Sequence, residues 1–155
     1  NYMKKKQLRK SEIRELNDAI SSLYGISPFS KNDSLEFWQG ERRLIVGGGE
    51  PQFFYANGVP VPTLKFCQKQ CVLPRVTVDM GAVKFVSNGA DIMRPGIVSV
   101  EEFSKGDHVA VVDERNGVSL AVCEALADSS EIEDMESGKV LNNIHYVGDE
   151  IWLVS

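Results

Sequence analysis

The chain of 155 residues carries 17 Lys/Arg against 22 Asp/Glu, and 43% of its residues are hydrophobic, enough for one ordinary core or two small ones and too much for a disordered chain. No apolar run reaches the ~20 residues that a membrane helix needs, and the basic start at residues 4–10 is followed by no apolar segment of a secretory leader, so a cytoplasmic protein is expected. The net charge of −5 conceals a reversal: residues 1–75 carry 12 Lys/Arg against 7 Asp/Glu, net +5, and residues 76–155 carry 5 against 15, net −10.

The basic part suits contact with a polyanion, whereas the acidic part must meet one locally or not at all. Asn1 and Tyr2 precede the first methionine; Met3 is the expected natural start, and the two residues before it are given no role. Lys4, Lys5, Lys6, Arg9 and Lys10 form a basic cluster that reads as a frayed, solvated end, or as a run lying along ribosomal or transfer RNA.

Ile13, Leu16, Ile20 and Leu23 recur at spacings of three and four, which predicts a helix from Ser11, its N-cap, to Tyr24, ended by Gly25. Residues 35–39, 42–46 and 52–55 then read as strands of an antiparallel meander. Gly47-Gly48-Gly49 is a hairpin turn between two of them; no Gly-Lys-Ser/Thr follows to make it a phosphate loop. Asn57-Gly58 with Pro60 and Pro62 predicts a loop, and Thr63 caps a short helix through Leu64, Phe66 and Cys67. Leu73-Pro74 coincides with the charge reversal, so the expected division is residues 1–74 and 75–155.

In the second part Arg75–Val78 reads as a strand entering a helix capped by Asp79, with Met80, Val83 and Val86 on one face and Gly89 at its C-terminal end. Strands are expected over residues 96–100, 108–113 and 118–127, the last two joined by the hairpin signal Asn116-Gly117. The acidic stretch 128–137 holds a short helix and acts as a solvated or protein-docking segment, and strands near 140–146 and 150–154 follow.

Three cysteines, Cys67, Cys71 and Cys123, form an odd set that argues for reduced thiols, and neither they nor His108 and His145 have metal-ligand spacing. No metal or cofactor is expected. His145 stands near no candidate nucleophile or orienting acid and reads as a structural hydrogen-bonding residue. Trp38 and Trp152 lie in strand patterns and read as packing residues.

The stretch Gly89-Ala90-Asp91-Ile92-Met93-Arg94-Pro95-Gly96-Ile97 resembles the signature of PUA domains: a glycine closing the first helix, an apolar residue, then Pro-Gly opening the next strand. A closer resemblance covers about Leu35 to the end. Residues 78–86 (Val-Asp-Met-Gly-Ala-Val-Lys-Phe-Val), the following Gly-Ala-Asp-Ile-Met, and Asn143-Ile144-His145-Tyr146 with Trp152 are similar to the malignant T-cell-amplified sequence 1 family, which has archaeal members. The resemblance implies an α+β fold, a small N-terminal α/β (pre-PUA) unit followed by a PUA pseudo-β-barrel. It also implies a non-enzymatic RNA-binding protein acting in translation, on tRNA or small-subunit ribosomal RNA, with a protein partner. PUA domains are also fused to tRNA-modifying enzymes, so the alternative is an accessory RNA-targeting or docking module of such an enzyme.

The resemblance places the RNA site on the first helix of the barrel and the strand after it: Lys84, Gly89, Ala90, Arg94, Pro95 and Gly96. Glycines there permit close backbone approach and leave amide N–H groups for phosphate or ribose oxygens. Lys84 and Arg94 are two of only five cations after residue 75, and they supply the charge. Asp91 and Asp79 read as turn and cap residues.

Overall fold

A computed structural model describes Tyr2 and residues 4–154. The basic start is not a frayed end: Lys4–Gln7 form a strand, β1, antiparallel to β2 (Leu35–Gln39), with Lys5 opposite Trp38. Pairing with a strand remote in sequence satisfies a backbone that a local reading of a charge run leaves to solvent. Lys5 Nζ lies 3.8 Å from the centre of the Trp38 ring, a cation–π contact. Tyr2, expected to have no role, packs its ring 5.6 Å from that of Trp38; Met3 lies outside the described residues.

Helix α1 (Lys10–Tyr24) buries Ile13, Leu16 and Ile20, as its apolar spacing requires, and closes on Gly25 in the left-handed region at φ +75°. Its N-cap is Arg9 instead of Ser11, because Glu12 Oε1 reaches back to the Arg9 N–H at 2.9 Å. The meander continues through β3 (Arg43–Gly47), β4 (Glu50–Ala56) and β5 (Val59–Pro62), giving a five-stranded antiparallel sheet in the order β1-β2-β3-β4-β5. Residues 59–62, expected as loop, are its second edge strand. Asn57 and Gly58, at φ +52° and +79°, make a two-residue hairpin turn, and prolines fit an edge strand where a missing N–H costs no pairing. Thr63 caps α2 (Leu64–Lys69) through Oγ1, which accepts the Phe66 N–H.

The rest of the chain runs β6 (Arg75–Val78), α3 (Met80–Val86), β7 (Ile92–Met93), a 3-10 turn (Arg94–Gly96), β8 (Ile97–Val100), β9 (His108–Asp113), β10 (Ser119–Ala125), α4 (Ser129–Asp134) and β11 (Lys139–Tyr146). These six strands pair in the order β7-β11-β10-β9-β6-β8, antiparallel except for β6 beside β9. The chain steps from one edge strand, β7, to the other, β8, through the 3-10 turn alone, so the sheet curls into a barrel. Residues 150–154, expected as a strand, are turns instead. The Asp149 carboxylate accepts N–H bonds from Tyr146, Ile151 and Trp152, which wraps the chain around one side chain.

Period-two alternation then builds three apolar clusters. Val109, Val111, Ala121 and Cys123 point into the barrel with Val76, Ile92 and Leu141. Ala110 and Val122, on the opposite faces of β9 and β10, pack against Leu44, Val46 and Phe54 of the first sheet, Leu64 of α2 and Leu73 of the segment after it. The other face of the first sheet, with Ile45 and Phe53, is covered by α1. The molecule is therefore layered, with α1 outermost on one side and the barrel on the other. Among the described residues no helix is long and apolar enough to cross a membrane.

Candidate functional site

The expected site residues sit around α3, whose two ends are pinned by remote elements. Asp79 Oδ1 accepts the Ala82 N–H at 2.9 Å, the capping role its position predicts, and Glu114 of the β9–β10 turn accepts the Met80 N–H at 2.8 Å. At the other end Asn143 of β11 donates from Nδ2 to the carbonyls of Val86 (3.1 Å) and Ala90 (3.0 Å). Asp91 Oδ1 accepts the Asn143 N–H at 2.9 Å, which makes it the turn-holding residue that its charge suggests.

Gly89 has φ +91°, and a Cβ there would stand 2.7 Å from the Tyr146 ring. Its place is set by packing under that ring. Gly96 has a similar reason: a Cβ would meet that of Ala82 at 3.0 Å, so its absence lets the 3-10 turn lie against the helix. The amides of Gly89 and Ala90 donate to the carbonyls of Val86 and Phe85. The free N–H donors expected at these positions are thus engaged in closing the helix.

Between α3 and the 3-10 turn lies a groove of about 430 Å³, lined by Gly81, Ala82, Phe85, Ala90, Ile92, Met93, Pro95 and Gly96 together with Asp79 and Asp91. Its rim is apolar and open, with Phe85 63% and Met93 50% exposed. Met80, expected on one helix face with Val83 and Val86, is also exposed. The structure brings Ala90, Pro95 and Gly96 together in this groove and leaves Lys84 exposed on the same helix, outside the lining.

Arg94 goes elsewhere. Its Nε donates to the Ile132 carbonyl at 2.6 Å and Nη1 to that of Ile97 at 3.2 Å, so the guanidinium ties the 3-10 turn to the end of α4. Phe85 and Met93 are the groove residues that sequence reasoning missed. The available signal was that Phe85 falls off the Met80, Val83, Val86 stripe and so faces away from the barrel.

His145 is 1% exposed with both ring nitrogens engaged, Nδ1 with Asp149 Oδ2 at 2.8 Å and Nε2 accepting the Leu64 N–H at 3.0 Å. Burial raises the Asp149 carboxyl, but the His145 hydrogen bond and nearby backbone amides outweigh it and hold the group below its ordinary range. Burial pushes the Cys67 thiol up to about 12, which leaves it protonated and inert. Among the described residues no cluster of three His, Cys, Asp or Glu is placed to hold a metal.

The PUA domain family model matches residues 74–147. The chain is 36% identical to an uncharacterized protein of Methanocaldococcus jannaschii, over 97% of this chain and 93% of that one. It is 31% identical to malignant T-cell-amplified sequence 1 of Rattus norvegicus, over 94% of this chain and 88% of that one. Translation machinery-associated protein 20 of Saccharomyces cerevisiae is 35% identical over 67% of this chain and 62% of its own length. The crystal structure of a PUA domain from Aeropyrum pernix K1, in its tartrate complex, superposes with a TM-score of 0.84 at 30% identity, covering 96% of this chain and 89% of that one.

Proposed function

The chain belongs to the malignant T-cell-amplified sequence 1 family of PUA-domain proteins, and on that premise we propose that it is a non-enzymatic RNA-binding protein of translation whose RNA site is the groove beside α3. The observation that carries this reading is the open apolar groove with an exposed aromatic ring, Phe85, on its rim. An apolar slot with one ring suits unstacked bases, since any base offers a π-face and duplex stacks theirs away. The net charge of −10 over residues 76–155 disfavours a long phosphate track on this unit, so contact is confined to a loop or a free end.

Within this reading the chain divides at residue 74, the second unit carries the groove, and Ala90, Pro95 and Gly96 shape its floor. Gly89 and Arg94 position it, the first under Tyr146 and the second through the Ile132 and Ile97 carbonyls. The kinship with a translation machinery-associated protein favours tRNA or small-subunit ribosomal RNA as ligand and the cytoplasm as the place of action. His145, enclosed with both nitrogens bonded, and Cys67, protonated and buried, are unsuited to act on a substrate, which favours binding without catalysis.

Ultraviolet crosslinking of the protein to RNA in cell extract, with sequencing of the RNA and mapping of the crosslinked peptide, tests this. The expected result is tRNA or small-subunit ribosomal RNA attached within residues 80–96. Crosslinks confined to other segments, or no specific RNA, would remove the groove from the argument.

A further inference from the structure

The first sheet carries a second feature of nucleic-acid chemistry, on the face turned toward α1. Lys6 Nζ bonds Glu12 of α1 at 2.8 Å, which fixes Lys6 on that face, and the two-residue period of the strand puts Lys4 there too. Lys4 is paired with Gln39, and Gln39 with Arg43 on the next strand. The Arg43 guanidinium lies 5.3 Å over the Tyr55 ring, and Tyr55 packs edge-on to Phe37 at 6.2 Å. A cross-strand row of two exposed cations thus ends on a half-buried tyrosine, beside a groove of about 390 Å³ between the sheet and α1 that Phe37 and Tyr55 line.

Lysines on an edge strand discourage pairing with other chains, which explains β1 by itself. It does not explain Arg43, which stands exposed on the interior strand β3 with its guanidinium over an aromatic ring. That arrangement suits a phosphate approached by a pre-oriented guanidinium. Of the carboxylates at this groove, Glu12 is covered by Lys6 and Arg9, leaving Glu15 on the α1 wall.

We propose that the Lys4, Gln39, Arg43 and Tyr55 row is a second RNA contact, a sequence-tolerant phosphate-binding face distinct from the groove beside α3. The layering places it on the α1 side of the first sheet, whose opposite face joins the barrel. A short RNA end in the α3 groove does not reach it; a large folded RNA engages both. The inference goes beyond the proposed function and stands or falls separately from it.

The test compares a small-subunit ribosomal RNA transcript with a short unstructured oligoribonucleotide, each titrated over a salt series with wild type, K4E/R43E, K4Q/R43Q and F85A proteins. For the transcript, K4Q/R43Q is expected to lower affinity at least tenfold and to flatten the slope of log affinity against log salt by about 1.4 to 1.8, the release due to two phosphates. K4E/R43E lowers it further, and short-oligonucleotide affinity is unchanged in both. The glutamine pair keeps the test readable should charge reversal disturb folding, which the unfolding midpoint reports. Unaltered slopes for the transcript would overturn the proposal. Equal losses for both RNAs would overturn it too, as a general charge effect. Loss in K4Q/R43Q with none in F85A would uphold this contact and refute the α3 groove.

Discussion

His145 joins two parts of the chain that the sequence keeps 81 residues apart, since its Nε2 accepts the first amide of α2 while Nδ1 meets Asp149. With Nε2 accepting, the ring proton sits on Nδ1 and is donated to the carboxylate. His145→Ala would leave the buried Leu64 N–H without its acceptor and take one bond from a buried carboxylate that keeps three backbone amides, so a loss of about 3–5 kcal/mol is expected, read from urea unfolding; a loss below about 1 kcal/mol would mean that water replaces the ring. Asp149 adds a pH dependence. Its folded-state carboxyl lies below the ordinary value of 3.8, so the unfolded chain takes up the proton first, and the contribution is complete above that value and lost as pH falls through the folded one. Asp149→Asn is expected to lower stability at neutral pH and to flatten its decline below about pH 4, checked by unfolding midpoints across that range. Gly89→Ala meets both a positive φ and the Tyr146 ring at 2.7 Å, and a destabilisation of about 1–3 kcal/mol follows; a neutral variant would show that the loop relaxes. The sequence marks His145 as a structural hydrogen-bonding residue and Gly89 as a helix end. It cannot name Leu64, Tyr146 or the Ile132 carbonyl that holds Arg94, because each partner is set by a strand or helix order that exists only after folding.

At the scale of elements, what local chemistry governs was legible. The α1 stripe, the Thr63 and Asp79 caps and the turns at Gly48-Gly49 and Asn116-Gly117 need only neighbours within a few residues. Strands β1 and β5 were not legible, since a lysine run and an alternating proline pair become strands only when β2 and β4 offer their edges. The lining of the α3 groove was half visible: Ala90, Pro95 and Gly96 of the expected stretch line it, but the outward turn of Phe85 and Met93 depends on how the helix lies on the barrel. That orientation makes a clean experiment possible, because Phe85 is 63% exposed and its removal leaves the core intact. Phe85→Ala is expected to change stability by no more than about 0.5 kcal/mol while lowering RNA affinity about tenfold, the effect of ~1.4 kcal/mol of lost base stacking. Filter binding beside a denaturation curve separates the two, and unchanged affinity would take the ring out of the site.

The molecule as a whole depends on β9 and β10, which face the barrel interior on one side and the first sheet on the other. Ala110 and Val122 are 0% exposed only because Leu44, Phe54 and Leu64 cover them, and the Arg42 guanidinium adds two bonds to the Ile144 carbonyl at 3.1 Å. Two independent units joined by a linker would unfold in separate steps. A shared apolar layer couples them instead, since unfolding the first sheet strips the outer face of the barrel's central strands. Fluorescence of Trp38, in the first sheet, and of Trp152, in the turn after β11, each isolated by replacing the other with Phe, is therefore expected to give superimposable urea curves. Midpoints that differ by more than the fitting error would show that the layer between the sheets opens before either core does. In that case the basic and acidic faces would reach RNA as separately mobile surfaces instead of one rigid pair.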